Sequence, residues 1–371
     1  MEKIPIFKLT FDALYRRHFH EGCEQIFDEG YLTNHTMVRK AEGEFKRLND
    51  SAFVLGVSSG TSALEVALKA IDVKNCEVIL PTNTFIATYL AVVHAGGIPV
   101  LVDIEDDYYS IDPERVSQKI SSWTKAVVIV HIGGHISPAT KKVKELCQKH
   151  GLLLIEDAAH AHFAELNGVK AGNIGDIGCF SFHMTKVVTS GEGGMITTSH
   201  KDIFDRCISV RQFGMDLKHQ HSHIYDGSNY KLGEFNALAL LLDLERSSTR
   251  IEKRRAIGQR YKKNLSGTHW KVVQDNPETK GSFYKQVLLP PSGLSREEIS
   301  RHLNEASIAL TNGVYYQPLH RQPYCQQTLT DKNFPVSDDF SDRHICPPCY
   351  PELELHEVDR ICEVLLKAGG Q

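Results

Sequence analysis

The amino-acid sequence predicts an α/β protein in which helices cover both faces of a mainly parallel sheet, with a smaller α+β domain at the C-terminal end. Between about residues 52 and 200, apolar strand segments alternate with amphipathic helical segments. The strand segments are continuous runs of Val, Ile and Leu, which is typical of parallel strands buried on both faces. After Gly233 the sequence becomes helical and highly charged, and shorter strand and helix segments follow. This change predicts a second domain.

Strand and helix segments of ordinary length follow one another through the first 200 residues. The apolar pattern predicts, in order, Ala52–Val57 (strand), Ser59–Ile71 (helix), Glu77–Leu80 (strand), Phe85–His94 (helix), Val100–Asp103 (strand), Lys125–Ile132 (strand), Ala139–His150 (helix) and Leu152–Asp157 (strand). Two further strand segments, 177–182 and 195–198, lie too close in sequence for a full helix between them. We therefore expect these two segments to pair as antiparallel neighbours.

The C-terminal part begins with a long charged helix, predicted from Gly233 to about Leu265. The later elements are strands at Trp270–Val273 and Phe283–Leu289, a helix after Ser295 with a capping box to Glu298, and a final helix at about 355–367. We predict a large domain at residues 1–248 and a small domain at 249–371. The N-terminal segment 1–15 is expected to pack on the small domain.

Composition argues against several classes of protein. The 371 residues are 41% hydrophobic with a net charge of −4, so no basic surplus favours nucleic acid or an anionic membrane as a partner. The N-terminus lacks a signal peptide pattern, and no apolar run approaches the ~20 residues of a membrane span, so we expect a cytoplasmic protein. Nine scattered cysteines predict reduced thiols. The single Cys346-Pro-Pro-Cys349 motif lacks a second ligand pair, so no metal is expected.

Three polar features follow predicted strands, at the edge where open α/β sheets bind ligands. The stretch Ser58–Ser62 precedes a helix, where free N–H groups bind anions and the hydroxyls of Thr61 and Ser62 could add hydrogen bonds. Alternatively, this stretch is only a helix N-cap with a glycine turn. Asp157 closes an apolar strand, where it would either pair with a cation or cap a helix. Lys186 is either a solvated loop residue or an amine that a low-dielectric site makes nucleophilic.

Together these features match the requirements of pyridoxal 5′-phosphate (PLP). That cofactor needs a lysine for its Schiff base, an acid that keeps the pyridine nitrogen protonated, and an anion site for its phosphate. Lys186, Asp157 and the Ser58–Ser62 stretch could meet these three needs. Phe85, at another strand–helix junction, is a candidate to stack on the ring.

The chain resembles the DegT/DnrJ-type nucleotide-sugar aminotransferases, which have the aspartate aminotransferase fold (fold type I). The resemblance covers nearly the whole chain, and its most specific part is the FSFH-x-T-K…GEGG block. The matching segments are SSGTSALEVAL, EVILPTNTFIAT, GGIPVLVDI, IEDAAHAH, AGNIGDIGCFSFHMTKVVTSGEGGMITT, SNYKLGEFNALAL and YYQPLHRQPY. The resemblance implies a seven-stranded-type sheet in the large domain, a PLP cofactor and an obligate homodimer with a shared active site.

The resemblance also implies a role for each matching residue. Lys186 would hold PLP as a Schiff base and then shuttle a proton, and Asp157 would pair with the pyridine nitrogen. Phe85 would stack on the ring, and His160 would replace a family glutamine beside the ring hydroxyl. Asn229 would reach the phosphate from the neighbouring subunit. The other phosphate-binding residues would be Gly60, Thr61, Ser62 and Ser181.

The substrate side shows more departures from the family pattern than the cofactor side. His320 and Tyr316 match substrate-side positions near the sugar, whereas Lys231 stands where the family commonly has arginine. The segment Thr33–Thr36 replaces the usual Thr-x-Gly-Pro. The segment 131–137 (HIGGHIS) lacks the usual aromatic residue.

The function implied is a ping-pong aminotransferase that moves an amine from glutamate or glutamine to a keto sugar, most often a nucleotide-linked keto-deoxysugar. A non-nucleotide keto sugar or a cyclitol is an alternative acceptor. A PLP-dependent sugar 3-dehydratase is less favoured, because that chemistry is associated with histidine in place of Lys186. A non-catalytic regulator would have lost Lys186 or Asp157. Two histidine groups are not read as metal sites, namely His219, His221 and His223 in a polar loop and the pair His131 and His135.

Overall fold

The structure is a computed structural model that describes residues 2–219, 221–311, 313–327, 329 and 333–370. None of the described helices is long and apolar enough to cross a bilayer. The helices are α1 (Ala13–Glu29), α2 (Thr36–Asn49), α3 (Gly60–Ala70), α4 (Ile86–His94), α5 (Pro113–Lys119), α6 (Thr140–His150), α7 (Lys201–Arg211), α8 (Glu234–Glu245), α9 (Ser247–Asn264), α10 (Arg296–Glu305), α11 (Pro323–Gln326), α12 (Pro335–Arg343) and α13 (Leu355–Ala368). The strands are β1 (Phe53–Val57), β2 (Glu77–Pro81), β3 (Ile98–Val102), β4 (Thr124–Val130), β5 (Leu153–Asp157), β6 (Glu165–Leu166), β7 (Val169–Lys170), β8 (Ile177–Ser181), β9 (Gly194–Thr198), β10 (Lys271–Val272), β11 (Thr279–Lys280) and β12 (Leu288–Leu289).

Seven strands form the central sheet, in the order β1-β9-β8-β5-β4-β2-β3. Strand β9 is antiparallel to its neighbours β1 and β8, and the remaining neighbours are parallel, so six strands share one direction. The predicted α/β class and the antiparallel pairing of the segments around 177–182 and 195–198 are confirmed. Because the six strands share a direction, their carboxyl ends lie along one edge of the sheet, where ligands bind in such folds.

Helices cover both faces of the sheet because successive strand residues point to opposite sides. Helices α3, α4 and α7 pack on one face around side chains such as Tyr89, and α2 and α8 pack on the other face around Phe45. The Phe45 ring lies 5.0 Å from the ring centroid of Phe180 and 5.7 Å from that of Phe182. These contacts fix the strand that leads to Lys186.

The prediction of a single long charged helix in the second half of the chain is wrong. The segment consists of two helices, α8 and α9, which meet at Arg246. The Arg246 side chain donates to Asp243 Oδ1 at 2.7 Å and to the Thr10 carbonyl at 3.0 Å. Its guanidinium also lies 4.6 Å from the centroid of the Tyr15 ring. These contacts with the N-terminal segment hold the turn against the helical propensity of the sequence.

The predicted strand Phe283–Leu289 is also shorter than expected, because only Leu288–Leu289 pairs as a strand. Phe283 has a φ of 51°, which is outside the extended region. The buried Arg254 guanidinium donates to the carbonyls of Phe283 and Tyr284 at 3.2 and 3.4 Å. The segment therefore leaves strand geometry, and Tyr284 and Lys285 instead line the cavity described below.

The C-terminal elements enclose a separate apolar cluster that includes Ile257 and Tyr261 of α9 and Ile361 of α13. Ile4 from the N-terminal segment packs in the same cluster and forms a bridge with Ile308. The capping box at the start of α10 is confirmed. The domain boundary between residues 248 and 249 stays a prediction.

Two buried histidines are expected to make the fold acid-sensitive. Burial lowers the pKa of His162 to about 3 and that of His344 to about 3, whereas a histidine in the unfolded chain titrates near ~6.5. The unfolded chain then binds more protons below that pH. The free energy of unfolding should therefore fall on acidification by up to ~1.4 kcal/mol per pH unit for each histidine.

Urea denaturation of the purified protein at pH 7.0 and pH 5.5 measures this loss. The double variant His162→Gln, His344→Gln should lose less stability over the same interval, because it lacks two of the groups that bind protons more readily in the unfolded chain. An equal loss in both proteins would contradict this explanation.

Candidate active site

A cavity of about 690 Å³ lies at the carboxyl edge of the parallel strands. It is bounded by the N-termini of α3 and α4, by the ends of β5 and β8, and by two segments from the C-terminal part of the chain. The residues selected from the sequence that line it are Gly60, Thr61, Phe85, Asp157, His160, Ser181, Lys186 and Tyr316. The strand topology therefore brings together residues that are far apart in the chain.

The N-terminus of α3 presents unpaired N–H groups to this cavity. Ser59 caps the helix, because its Oγ accepts a hydrogen bond from the Ser62 N–H at 3.0 Å. The Ser62 hydroxyl lies 2.9 Å from the same Ser59 Oγ, so Ser62 belongs to the cap and does not line the cavity. In the part of the chain that the structure describes, the N–H groups of Gly60 and Thr61 have no partner. Free N–H groups at a helix N-terminus bind anions.

Strands β8 and β9 approach this helix end so closely that glycine is required. A Cβ atom at Gly60 would lie 2.6 Å from the Ser181 Cβ, and one at Gly194 would lie 2.1 Å from the Ser59 carbonyl oxygen. The glycine at the start of β9 therefore has a packing role. It allows β9 to pass directly beneath the Ser59 cap, which holds Ser181 against the start of α3.

Asp157 ends β5 and is 6% exposed. Its Oδ2 accepts from the Thr88 hydroxyl at 2.8 Å, and its Oδ1 accepts from the Ala159 N–H at 3.2 Å. No lysine, arginine or histidine of the described residues forms an ion pair with it. Burial raises the pKa of Asp157, while the Thr88 hydroxyl, the Ala159 N–H and the charge of Lys186 oppose that rise. A desolvated carboxylate of this kind is stabilised by a cation bound beside it.

The neighbouring acid, Glu156, has a structural environment. Its carboxylate accepts three backbone N–H groups of the 172–175 loop at 2.9, 2.7 and 2.6 Å, and it lies 2.8 Å from His131 Nε2. His135, the other histidine of the pair noted in the sequence, also lies beside a carboxylate, with its Nδ1 3.3 Å from Asp275 Oδ1. Successive side chains of β5 point to opposite faces of the sheet, so Glu156 supports the fold whereas Asp157 lines the cavity.

Lys186 follows β8 in a tight turn in which its N–H donates to the His183 carbonyl at 2.9 Å. Its Nζ lies 4.9 Å from the centroid of the Tyr284 ring. Burial lowers the pKa of Lys186 below that of a free lysine, although Tyr284 and Asp157 oppose this effect. A lowered pKa increases the fraction of neutral amine, which is the nucleophilic form.

His160 is held between Tyr284 and Tyr315, two tyrosines for which the sequence predicted no role. Its ring centroid lies 4.3 Å from that of Tyr284 and 5.4 Å from that of Tyr315, and its Nδ1 lies 3.3 Å from the Tyr315 hydroxyl oxygen. The Tyr284 hydroxyl lies 3.2 Å from Thr185 Oγ1. Burial lowers the pKa of His160 well below its usual value, so the ring is neutral. Tyr315 directly precedes Tyr316 in the segment YYQPLHRQPY, which resembles the family. This neighbouring position is the sequence signal that could have identified Tyr315 as a cavity residue.

Besides Ser62, three residues selected from the sequence do not line the cavity of a single chain. Asn229 is exposed and forms a bridge with Gln212. Lys231 Nζ lies 4.9 Å from the centroid of the Phe213 ring. His320 is buried, with Nδ1 2.8 Å from Thr82 Oγ1 and Nε2 2.9 Å from Asp338 Oδ1.

The fold and the cavity define the class of protein: the chain has the architecture of the fold type I aminotransferases, which use PLP. A crystal structure of DesV from S. venezuelae in complex with a ketimine intermediate superposes with a TM-score of 0.92, covers 100% of both chains and is 27% identical.

The chain belongs to the DegT/DnrJ/EryC1/StrS aminotransferase family, because the model of that family matches residues 15–366. The GDP-perosamine synthase of Escherichia coli O157:H7 is 31% identical over 367 residues, which are 98% of each chain. The dTDP-3-amino-3,4,6-trideoxy-alpha-D-glucose transaminase of Micromonospora megalomicea subsp. nigra is 31% identical over 354 residues, which are 93% of each chain. The predicted family, fold class and cofactor are confirmed.

The residues that line the cavity fit PLP in three respects. The unpaired N–H groups of Gly60 and Thr61 suit its phosphate. The desolvated Asp157 carboxylate lacks a cationic partner in the described part of the chain, and a protonated pyridine nitrogen is such a partner. The Phe85 ring is 62% exposed although it lines a cavity, which is the environment of an aromatic residue that covers a ligand.

The close approach at Gly194 leads to a prediction about cofactor binding. The Gly194→Ala variant should bind PLP at least ~10-fold more weakly and lose ~1–3 kcal/mol of stability, because the new methyl group displaces the Ser59 cap. Fluorescence titration with PLP and urea denaturation measure the two effects. Gly191 provides the control, because its φ is 83° and an added side chain there would meet open space. Gly191→Asn, which tolerates that φ, should bind PLP normally. Normal PLP affinity in Gly194→Ala would contradict the proposed close-packing constraint.

Proposed function

We propose that this enzyme transfers an amino group from an amino acid to a keto sugar carried on a nucleotide diphosphate, by a ping-pong mechanism. The observation that carries the proposal is the convergence of Lys186, Asp157 and the free N–H groups of α3 on one cavity. Bound PLP supplies an electron sink that lets an amine move between two carbon atoms. The acceptor class is supported by the two relatives described above, whose names refer to GDP-linked and dTDP-linked amino sugars.

In this proposal Lys186 performs two tasks. Its neutral amine would hold the cofactor aldehyde as an imine with loss of water, and once it is free again Nζ would move a proton to and from the substrate carbon. The lowered pKa of Lys186 favours the neutral amine needed for both tasks. The turn that joins Lys186 to His183 fixes the position of the side chain after β8.

The other cavity residues hold the cofactor in place. Asp157 carries the negative charge that pairs with the pyridine nitrogen, and Thr88 orients its carboxylate. His160, kept neutral and in contact with Tyr315, would face the ring hydroxyl. Phe85 covers the ring. The phosphate contacts are the N–H groups of Gly60 and Thr61 together with the Ser181 hydroxyl, and Ser62 acts through the cap.

We further propose a homodimer that shares its active sites. Large apolar side chains are exposed on two segments, residues 27–32 and 213–225. The 229–233 segment links these two regions, because Gly233 forms a bridge with Thr33 and Asn229 forms one with Gln212. These side chains are Phe27, Tyr31, Leu32, Phe213, Leu217, Ile224 and Tyr225. Exposed apolar side chains concentrated in this way are typical of an interface. Asn229 lies on the connecting segment and not in its own cavity, so in a dimer it would reach the partner's cavity.

Complementation between two inactive variants tests this arrangement. Lys186→Ala and Asn229→Ala homodimers should each have little activity. In a mixed dimer, one site combines an intact Lys186 with an intact Asn229 from the other subunit, so unfolding and refolding an equal mixture should restore about a quarter of wild-type activity. If Asn229 serves its own subunit, the mixture should stay inactive. Light scattering on the same samples should give the mass of a dimer.

The acceptor class is tested on the amine-loaded enzyme. We expect a keto sugar on GDP, dTDP or UDP to discharge this form, and to discharge it far faster than the same keto sugar without the nucleotide. Absorbance of the cofactor follows the reaction, and mass spectrometry identifies the amino sugar. Discharge only by free keto sugars or cyclitols would overturn the nucleotide assignment, and deoxygenation without amine retention would overturn amine transfer.

A further inference from the structure

We infer that Lys285 binds the carboxylate of the amino-acid donor, an assignment that rests on the proposed aminotransferase function. An aminotransferase must hold its donor by an anionic group, and arginine is the usual residue for that contact because its guanidinium matches a carboxylate. No arginine is present among the described residues that line the cavity. Apart from Lys186, the lysine that lines it is Lys285.

The Lys285 ammonium has no carboxylate partner in the described part of the chain. Three other partly buried lysines are paired, namely Lys69 with Asp226 at 2.8 Å, Lys141 with Glu278 at 3.1 Å and Lys170 with Asp50 at 2.5 Å. The Lys285 ammonium forms no such ion pair, and its main-chain N–H donates to the Gly133 carbonyl at 3.0 Å. The backbone is therefore fixed while the charge at the end of the side chain is free to bind a ligand.

The position of Lys285 favours a carboxylate at the reacting carbon. Its Nζ lies 5.3 Å from the centroid of the Tyr284 ring, and Lys186 Nζ lies 4.9 Å from the same centroid. The donor amine takes the place of the Lys186 amine during the reaction, and its α-carboxylate is attached to the adjacent carbon. In a nucleotide sugar the whole sugar ring separates the reacting carbonyl from the diphosphate. Of the anionic groups carried by the two substrates, the α-carboxylate is therefore the one expected nearer to Lys186 and Lys285.

The first test measures binding of glutarate, a dicarboxylate without an amine, to the PLP-loaded enzyme by isothermal titration calorimetry. We expect Lys285→Gln to weaken glutarate binding about 10- to 100-fold, which is the range for loss of a charge-assisted hydrogen bond. Lys285→Arg should retain most of the affinity. Lys125→Gln, a change at an exposed lysine on β4, should match the wild type. Wild-type affinity in Lys285→Gln, or no glutarate binding by the wild type, would overturn the assignment.

The second test separates the donor from the sugar nucleotide. Lys285→Gln should raise KM for glutamate in the first half-reaction by a similar factor, while the Kd values for GDP, dTDP and UDP stay within about twofold. Weaker nucleotide binding with normal glutarate binding would place Lys285 on the acceptor side and overturn the proposal. If Lys285 governs glutarate binding but the wild type accepts no amine from glutamate or glutamine, the proposed function fails and the anion site stands.

Discussion

The Lys186→Arg enzyme is expected to fold, to bind PLP without a covalent bond, and to lose on the order of 10³-fold or more in kcat. Arginine keeps the positive charge and much of the length of lysine, but its guanidinium does not deprotonate at physiological pH and so cannot attack an aldehyde. The variant should therefore lack the absorbance of the covalently attached cofactor. Spectra of the dialysed protein and initial rates with saturating donor measure the two losses.

A matched control distinguishes this effect from a general loss of lysine charge in the cavity. Lys285→Arg changes the neighbouring lysine and should keep the covalent cofactor spectrum. If Lys186→Arg retained that spectrum and appreciable activity, another amine would be the one that attaches PLP. The assignment of Lys186 would then be wrong.

Replacing Asp157 with asparagine is expected to lower kcat on the order of 10²- to 10³-fold. The amide carries no charge to hold a proton on the pyridine nitrogen, so the cofactor would be a weaker electron sink. The fold should not suffer, because burial already raises the pKa of this carboxyl and so disfavours its charged form. We therefore expect the free energy of unfolding of the cofactor-free protein to be unchanged or higher by ~1 kcal/mol.

The adjacent acid gives the opposite pattern and so provides the control. Glu156→Gln would break the buried contact with His131 and weaken the support of the 172–175 loop. We expect it to lose about 3 kcal/mol of stability, while retaining far more kcat per folded, PLP-loaded protein than Asp157→Asn. Urea denaturation and steady-state rates of the two variants make the comparison. Similar losses of stability in both would contradict the separate roles of these neighbours.

The residues that the sequence located most clearly are those fixed by local structure. Asp157 and Ser181 end buried parallel strands, and apolar strand runs followed by polar residues are visible in a single sequence. Lys186 and Gly60 lie within a few residues of such ends. The carboxyl ends of parallel strands lie at one edge of the sheet. The predicted strands were therefore sufficient to predict that these four residues lie close together.

Other cavity residues depend on backbone geometry that no local pattern records. Phe283 and Tyr315 have φ values of 51° and 58°, and these two left-handed residues lie in the segments that carry Tyr284, Lys285 and the Tyr315 side chain into the cavity. A reading of Phe283–Leu289 as a strand could not anticipate this. Thr88 was missed for a simpler reason, since a buried threonine on a helix has no sequence signature that separates packing from the orientation of a carboxylate.

The substrate-side residues mark a third limit. Asn229 and Lys231 lie outside the cavity of their own chain, and His320 is held by Thr82 and Asp338. Asn229 is proposed to act across a dimer, and both the sequence and a single chain leave out the surface of the second subunit that would complete such a site. The complementation experiment supplies that missing information.

The central claim is that Lys186 attaches the cofactor in this cavity, and chemical reduction tests it most directly. The PLP-loaded enzyme would be treated with borohydride, digested and analysed by mass spectrometry. We predict a pyridoxyl phosphate modification on the peptide that contains Lys186, and no such modification after prior conversion with excess glutamate or glutamine to the amine-loaded form. Modification of Lys285 instead, or no modified lysine at all, would contradict the account.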